Sequence, residues 1–179
     1  MVELTDFFKT TPPKNVSLNL LQTENNLQNK AGKSYLKVSL TSDVEIAIAM
    51  KDIVQVLVIP SEKIAFLPNL PNYVIGLFNQ RNRVFWLIKL SSLLQLKSEN
   101  YHVKNYEIVI IKAEETYLGL EVEKVNNMIR LEEDNIKNIS QKESISPHFK
   151  HYFKGYILDK DNQPLFIANP YTIINNEQN

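Results

Sequence analysis

Few side chains in this sequence are of types that do chemistry, and their spacing limits what they can do. There are three histidines. Of these, His148 and His151 could supply two ligands to one metal, but no third ligand stands at a recognisable spacing. With Lys150 between them they read as solvated side chains of a lysine-rich loop, and His102 stands alone. The acidic run Glu132-Glu133-Asp134 lacks the alternating Asp or Asn and the Gly of a calcium loop. It reads as a hydrated turn with carboxylates at the start of a short helical turn. The chain has no Cys, which excludes disulfides, thiol nucleophiles and zinc ribbons. A phosphate-cradling loop needs closely spaced glycines, and a serine hydrolase elbow needs Gly-x-Ser-x-Gly. The only glycines are Gly32, Gly76, Gly119 and Gly155. Three of them fall inside predicted strands and read as bends, bulges or close backbone packing. No catalytic residue, metal or cofactor is expected.

Charge narrows the binding classes further. Lys plus Arg number 20 and Asp plus Glu number 20, so the net charge is zero. A broad nucleic-acid or anionic-lipid surface would need an excess of cations. The longest apolar runs, such as Val84 to Ile88, are far shorter than the roughly 20 residues a spanning helix requires. The amino terminus has neither a basic start nor an apolar stretch, so a soluble cytoplasmic protein is expected, with no direct membrane insertion. What remains is the tip Asn79-Gln80-Arg81-Asn82-Arg83. It is a solvated hairpin loop on one reading. On the other it is an interface, in which Arg81 offers a planar fork of donors to carboxylates.

The elements that must carry this tip are mostly strands. Residues 1–33, with Pro12-Pro13 and many Asn, form an arm expected to be largely flexible, with one marginal helix. From Ser34 the pattern has period two. Leu36, Val38 and Leu40 alternate with Tyr35, Lys37 and Ser39, and Val44, Ile46, Ile48 and Met50 with Glu45, Ala47 and Ala49, so each run can bury one face; Thr41-Ser42-Asp43 suits a hairpin turn. Ile53 to Ile59 and Ile64 to Leu67 follow. Then come Tyr73 to Phe78 and Val84 to Leu90; the apolar residues on both faces of Val84 to Ile88 predict a strand covered on both sides. Ser91 is placed to cap a short helix through Leu93, Leu94 and Leu96. After a polar loop over 97–105, strands are expected at Glu107 to Lys112, Thr116 to Glu123 and Val125 to Leu131. A polar segment then runs to about His151, followed by strands Phe153 to Leu158 and Leu165 to Ala168. Asn169-Pro170 opens a last helix, and residues 176–179 are a frayed tail. Many short strands with few helices predict an all-β fold. The break at 97–105 suggests two barrel-like lobes, one before it and one after it.

The stretch Pro68 to Leu94 resembles the CheW adaptor domain of bacterial chemotaxis. Gly76, Asn79 and Arg81 match the family's Gly-hydrophobic-hydrophobic-Asn-Leu-Arg-Gly strand end. Leu118 to Val125 is similar to its Gly-hydrophobic-x-Val-Asp-x-Val strand, and Phe153 to Ile157 to a late Gly-containing strand. The likeness covers about residues 34–175. It implies two small five-stranded β-barrels of Src-homology-3-like type packed side by side. It also implies a non-catalytic scaffold joining the cytoplasmic tip of a methyl-accepting chemoreceptor to the regulatory domain of a CheA-type histidine kinase. Val54, Val56, Asn79, Arg81 and Asn82 are the partner-binding residues that the resemblance implies. The chain departs from the family at Val56 (usually Glu), Gln80 (Leu), Asn82 (Gly) and Lys89 (Asp). Such divergence fits a paralogue serving chemotaxis, phototaxis or pilus motility. The alternative is a diverged β-barrel module that binds another regulator outside motility.

Overall fold

A computed structural model of the chain describes residues 32–97, 103–159 and 162–175. Most of the arm, the tail, His102 and residues 160–161 lie outside them. Among the described residues eleven strands run in the order β1 (Lys33–Thr41), β2 (Val44–Ala49), β3 (Ile53–Pro60), β4 (Ile64–Ala65), β5 (Val74–Gln80), β6 (Arg83–Lys89), β7 (Asn105–Ala113), β8 (Thr116–Val122), β9 (Lys124–Leu131), β10 (Phe153–Leu158) and β11 (Pro164–Ala168). Among the described residues three short helices interrupt them: α1 (Leu90–Leu93), α2 (Pro147–His151) and α3 (Pro170–Asn175).

The strands form two sheets, ordered β10-β11-β2-β1-β9 and β3-β7-β8-β6-β5-β4. The expected all-β pair of lobes is present, but the division at 97–105 is not. The second sheet straddles that break, since β6 pairs in parallel with β8. The first is assembled from both ends of the chain, with β1 against β9 and β2 in parallel with β11. The first sheet has the expected five strands; the second has six, one of them the two-residue β4. Ile64 to Leu67 was expected to be a longer strand, but Phe66 and Leu67 leave the sheet and are exposed.

Three clusters of buried side chains hold the sheets. The largest draws Leu36, Val38 and Ile48 from the first sheet and Ile88, Val109 and Leu120 from the second, so the lobes share it. A second cluster lies wholly in the second sheet around Phe78, Phe85 and Ile110, with Phe78 and Phe85 stacked at 5.4 Å. A third lies wholly in the first sheet around Tyr35, Ala47 and Ile167.

Burial reverses two sequence expectations. Strand β1 alternates as a half-exposed strand should, yet both its faces are used: Leu36 and Val38 point into the shared core and Tyr35 into the third cluster. By contrast β6, apolar on both faces, is bare on one of them, with Val84 57% and Trp86 46% exposed. A central strand in a shared core needs apolar partners above and below, whereas no described element is laid over the outer face of β6 near its turn.

Smaller corrections have local causes. Lys89 still belongs to β6, so α1 begins at Leu90 and Ser91 is buried inside it rather than capping it. The segment after Glu132 is less polar than expected. It contains buried Ile139 and Phe149, the latter stacked on Phe153 at 4.5 Å. Ser146 caps α2 by accepting the Phe149 N–H at 3.2 Å, with Pro147 opening the helix. As expected, α3 starts on proline, at Pro170.

Candidate functional site

The tip between β5 and β6 is shorter than its five polar residues suggest. Asn79 and Gln80 continue β5, Gln80 pairs with Arg83, and only Arg81 and Asn82 turn the chain. Both have positive φ, 50° and 62°. A two-residue hairpin needs this left-handed geometry, because it matches the twist of the strands it joins. Asn82 tolerates the left-handed region well; Arg81 accepts it at a cost of about 1–2 kcal/mol. Asn79, Arg81 and Asn82 are all exposed, and Arg81 has no ion pair or hydrogen bond to another described residue.

Register carries this turn to a common edge with β3. Leu87 pairs with Gly119 in the parallel β6–β8 ladder, so four residues back Arg83 is level with Glu115. Glu114 and Glu115 form the turn between β7 and β8, whose pairing closes at Ala113 and Thr116. At the same end of β7, Ile111 pairs with Ile53 of β3. The Arg81-Asn82 turn, the Glu114-Glu115 turn and Val54 therefore share one end of the second sheet. Cations and carboxylates mix there: Lys112 pairs with Glu115 at 3.5 Å, and Arg83 and Lys112 lie 5.7 and 5.4 Å from the centre of the Tyr117 ring.

Val54 lies at a register shift in β3 and is 38% exposed. Val56 is half-buried and packs against the shared core. Two features were missed from the sequence: Val58 on β3 and the outer face of β6, all more exposed than Val54. An apolar groove of about 240 Å³ adjoins that face, with Trp86 and Leu118 on one side and Ile173 and Ile174 of α3 on the other. The excess of apolar residues in Val84 to Ile88 was the available signal, but composition cannot tell a covered face from a bare one.

The charge reversal at Lys89 is answered on the neighbouring strand. Lys89 pairs in register with Glu121 of β8. Burial pushes the Glu121 carboxyl above its ordinary range; Lys89 draws it back down and Glu123 adds to the rise. These groups line a larger groove of about 750 Å³, where Glu107 Oε2 accepts the Val125 N–H at 2.6 Å.

The two histidines are not loop side chains, as their neighbours had suggested. They lie on α2, where His148 Nε2 is 2.8 Å from the Leu93 carbonyl oxygen and so donates to it. Both rings meet the buried Tyr152 edge-on, at 5.3 and 5.1 Å. Among the described residues no three His, Asp or Glu side chains gather as a metal site would require. Nor is any helix among them long and apolar enough to cross a membrane.

The glycines occur where backbones approach closely, as expected. At Gly155 a Cβ would lie 2.5 Å from the Lys137 carbonyl oxygen, and at Gly119 2.9 Å from the Phe78 ring. Such contacts leave little room for a side chain.

Two curled β-sheets packed through a shared core define a two-lobed all-β domain with its exposed turn residues at one end. The chain belongs to the CheW-like domain family, whose model matches residues 34–178. It is similar to the chemotaxis protein CheW of Helicobacter pylori (strain ATCC 700392 / 26695), 29% identical over 75 residues. That match spans 42% of this chain and 45% of the relative. The crystal structure of the scaffolding protein TtCheW from Thermoanaerobacter tengcongensis superposes with a TM-score of 0.68 at 19% identity, covering 80% of this chain and 92% of that one. At that identity the likeness shows the fold.

Proposed function

We propose that the protein is a non-catalytic adaptor in a chemotaxis, phototaxis or pilus-motility signalling array. In this role it couples the cytoplasmic tip of a methyl-accepting chemoreceptor to the regulatory domain of a CheA-type histidine kinase. It works in the cytoplasm, at membrane receptor arrays, through its partners rather than by inserting into the bilayer. The observation that carries this reading is the gathering of Val54, Arg81 and Asn82 at one end of the second sheet. An unpaired, exposed arginine on a rigid two-residue turn is pre-organised for a planar carboxylate, and an apolar strand beside it offers area to a helix. Its mechanism is geometric: holding two partners in fixed register lets movement of one bias the state of the other.

Calorimetric titration of the receptor tip and the kinase regulatory domain tests this. Arg81→Glu is expected to weaken at least one of the two complexes by about 30-fold, the effect of losing an interface hot spot of about 2 kcal/mol. Arg81→Asn, which suits the left-handed turn, should also weaken binding while leaving the thermal midpoint at or above that of the parent. Unchanged affinity for both partners in both variants would remove Arg81 from the interface. Failure of the parent protein to bind either partner would favour a module serving another regulator.

A further inference from the structure

A second charged site lies on the first sheet, away from the Arg81 turn. The starts of β1 and β10 and the ends of β2 and β9 enclose a cleft of about 400 Å³, lined by Lys33, Lys51, Arg130, Lys154 and Glu133. Tyr35 and Ile167, both buried in the third core cluster, form part of its wall. Four cations thus line the cleft with one carboxylate, Glu133, while Asp52 lies beside Lys154. Lys33 pairs with Glu133 at 2.5 Å, and Lys154 reaches Asp52 only at 4.0 Å. The pull of Lys33, Lys51 and Lys154 holds the Glu133 carboxyl below its ordinary range, with the hydrogen bond from Lys33 the largest cause. Lys51 has no carboxylate of its own. Arg130 spends one amino group, Nη1, on the neutral Gly32 carbonyl at 3.0 Å. Among the described residues its buried Nε–H has no acceptor. A buried donor left unmet is costly, and more so on a charged group.

The unused edge of the guanidinium, formed by Nε–H and the remaining amino group, is the edge that grips two oxygens in one plane. We propose that this cleft is a carboxylate-binding site that accepts an acidic side chain from another polypeptide, with Arg130 as its bidentate anchor and Lys51 and Lys154 beside it. Placing an oxyanion there would give the guanidinium an acceptor and offset the excess of positive charge. The source is assigned to a polypeptide because Lys51 lies in the turn Met50–Asp52 that leads straight into Ile53 and Val54. This choice of source rests on the adaptor reading; the carboxylate site itself does not.

Heteronuclear NMR of the full chain can test it without either signalling partner. The probe is an acetylated, amidated Gly-Glu-Gly peptide, compared with inorganic phosphate and with sodium chloride at matched ionic strength. The peptide should move the Arg130 Nε–H resonance and the backbone amides of Ser34 and Met50 in a saturable way. Arg130→Gln, followed at those amides, should weaken binding at least 10-fold, as loss of a charge-assisted pair implies. Lys51→Ala, an exposed substitution that leaves the anchor in place, should weaken it by about 2- to 5-fold. Non-saturating shifts, or shifts that sodium chloride reproduces, would overturn the site. Saturation by phosphate but not by the peptide would overturn the carboxylate assignment. Any of these failures would leave the Arg81 titrations unaffected, so the two readings fall separately.

Discussion

Replacing Gly76 with alanine is expected to destabilise the domain by about 2–6 kcal/mol, the sum of a strained left-handed backbone and an overpacked contact. Gly76 has a φ of 154° and follows a register shift in β5. A Cβ there would fall on the carbonyl oxygen of Ala65, with the Ile64 Cγ2 methyl at 3.3 Å. The obstacle is backbone, so no rotamer change relieves it. Ala65 and Ile64 are themselves paired to β5, opposite Leu77 and Phe78. Relief therefore means lifting β4 off the sheet and opening the Phe78 side of the core. Urea unfolding should show a lower midpoint with an unchanged slope, the mark of lost stability in a two-state transition. A midpoint within error of the parent would mean that β4 and β5 do not approach as closely as described.

Leu36→Ala is expected to cost about 2–5 kcal/mol, the range for emptying a leucine's place in a closed core. Leu36 is fully buried on β1 in the first sheet. Its effect should nonetheless be read by a probe on the second sheet, because the largest hydrophobic cluster takes residues from both. Trp86 is the sole tryptophan of the chain and lies on β6. Its fluorescence and the far-ultraviolet circular dichroism should therefore shift together in the variant, as they do when a domain unfolds in one step. A tryptophan transition that stays put while the dichroism moves would show that the lobes unfold independently, and would refute the shared core.

Much of the strand plan was legible because local patterns suffice for it. Period-two alternation marked β1 and β2, apolar runs ended by Pro or polar tips marked β3, β5 and β7, and Pro170 marked the start of α3. Errors arose where a residue's neighbours in space decide its state. Ser91 has the chemistry of a cap, but the helix starts at Leu90, directly after the Lys89–Glu121 pairing, two positions too early for Ser91 to cap it. His148 has the neighbours of a surface loop, yet Leu93, 55 residues earlier in the chain, supplies its hydrogen-bond acceptor.

The candidate site divides the same way. Arg81 and Asn82 stood out as a polar tip, and the family motif singled them out. Their relation to Val54 depends on β7 and β8 lying between β3 and β6, an order set by ladders joining residues far apart in the chain. The basic cleft left no local signal, because Lys33, Lys51, Arg130 and Lys154 are scattered over four strands or turns.

By itself the chain determined its strands, its turns, its neutral charge and its family, since each depends on side-chain type and short-range spacing. The tertiary structure alone decided which strands share a lobe, which apolar face stays wet and which charges meet. Those outcomes depend on long-range pairing, in which shared burial offsets the entropy of closing long loops. No window of a few residues contains both partners of such a pair.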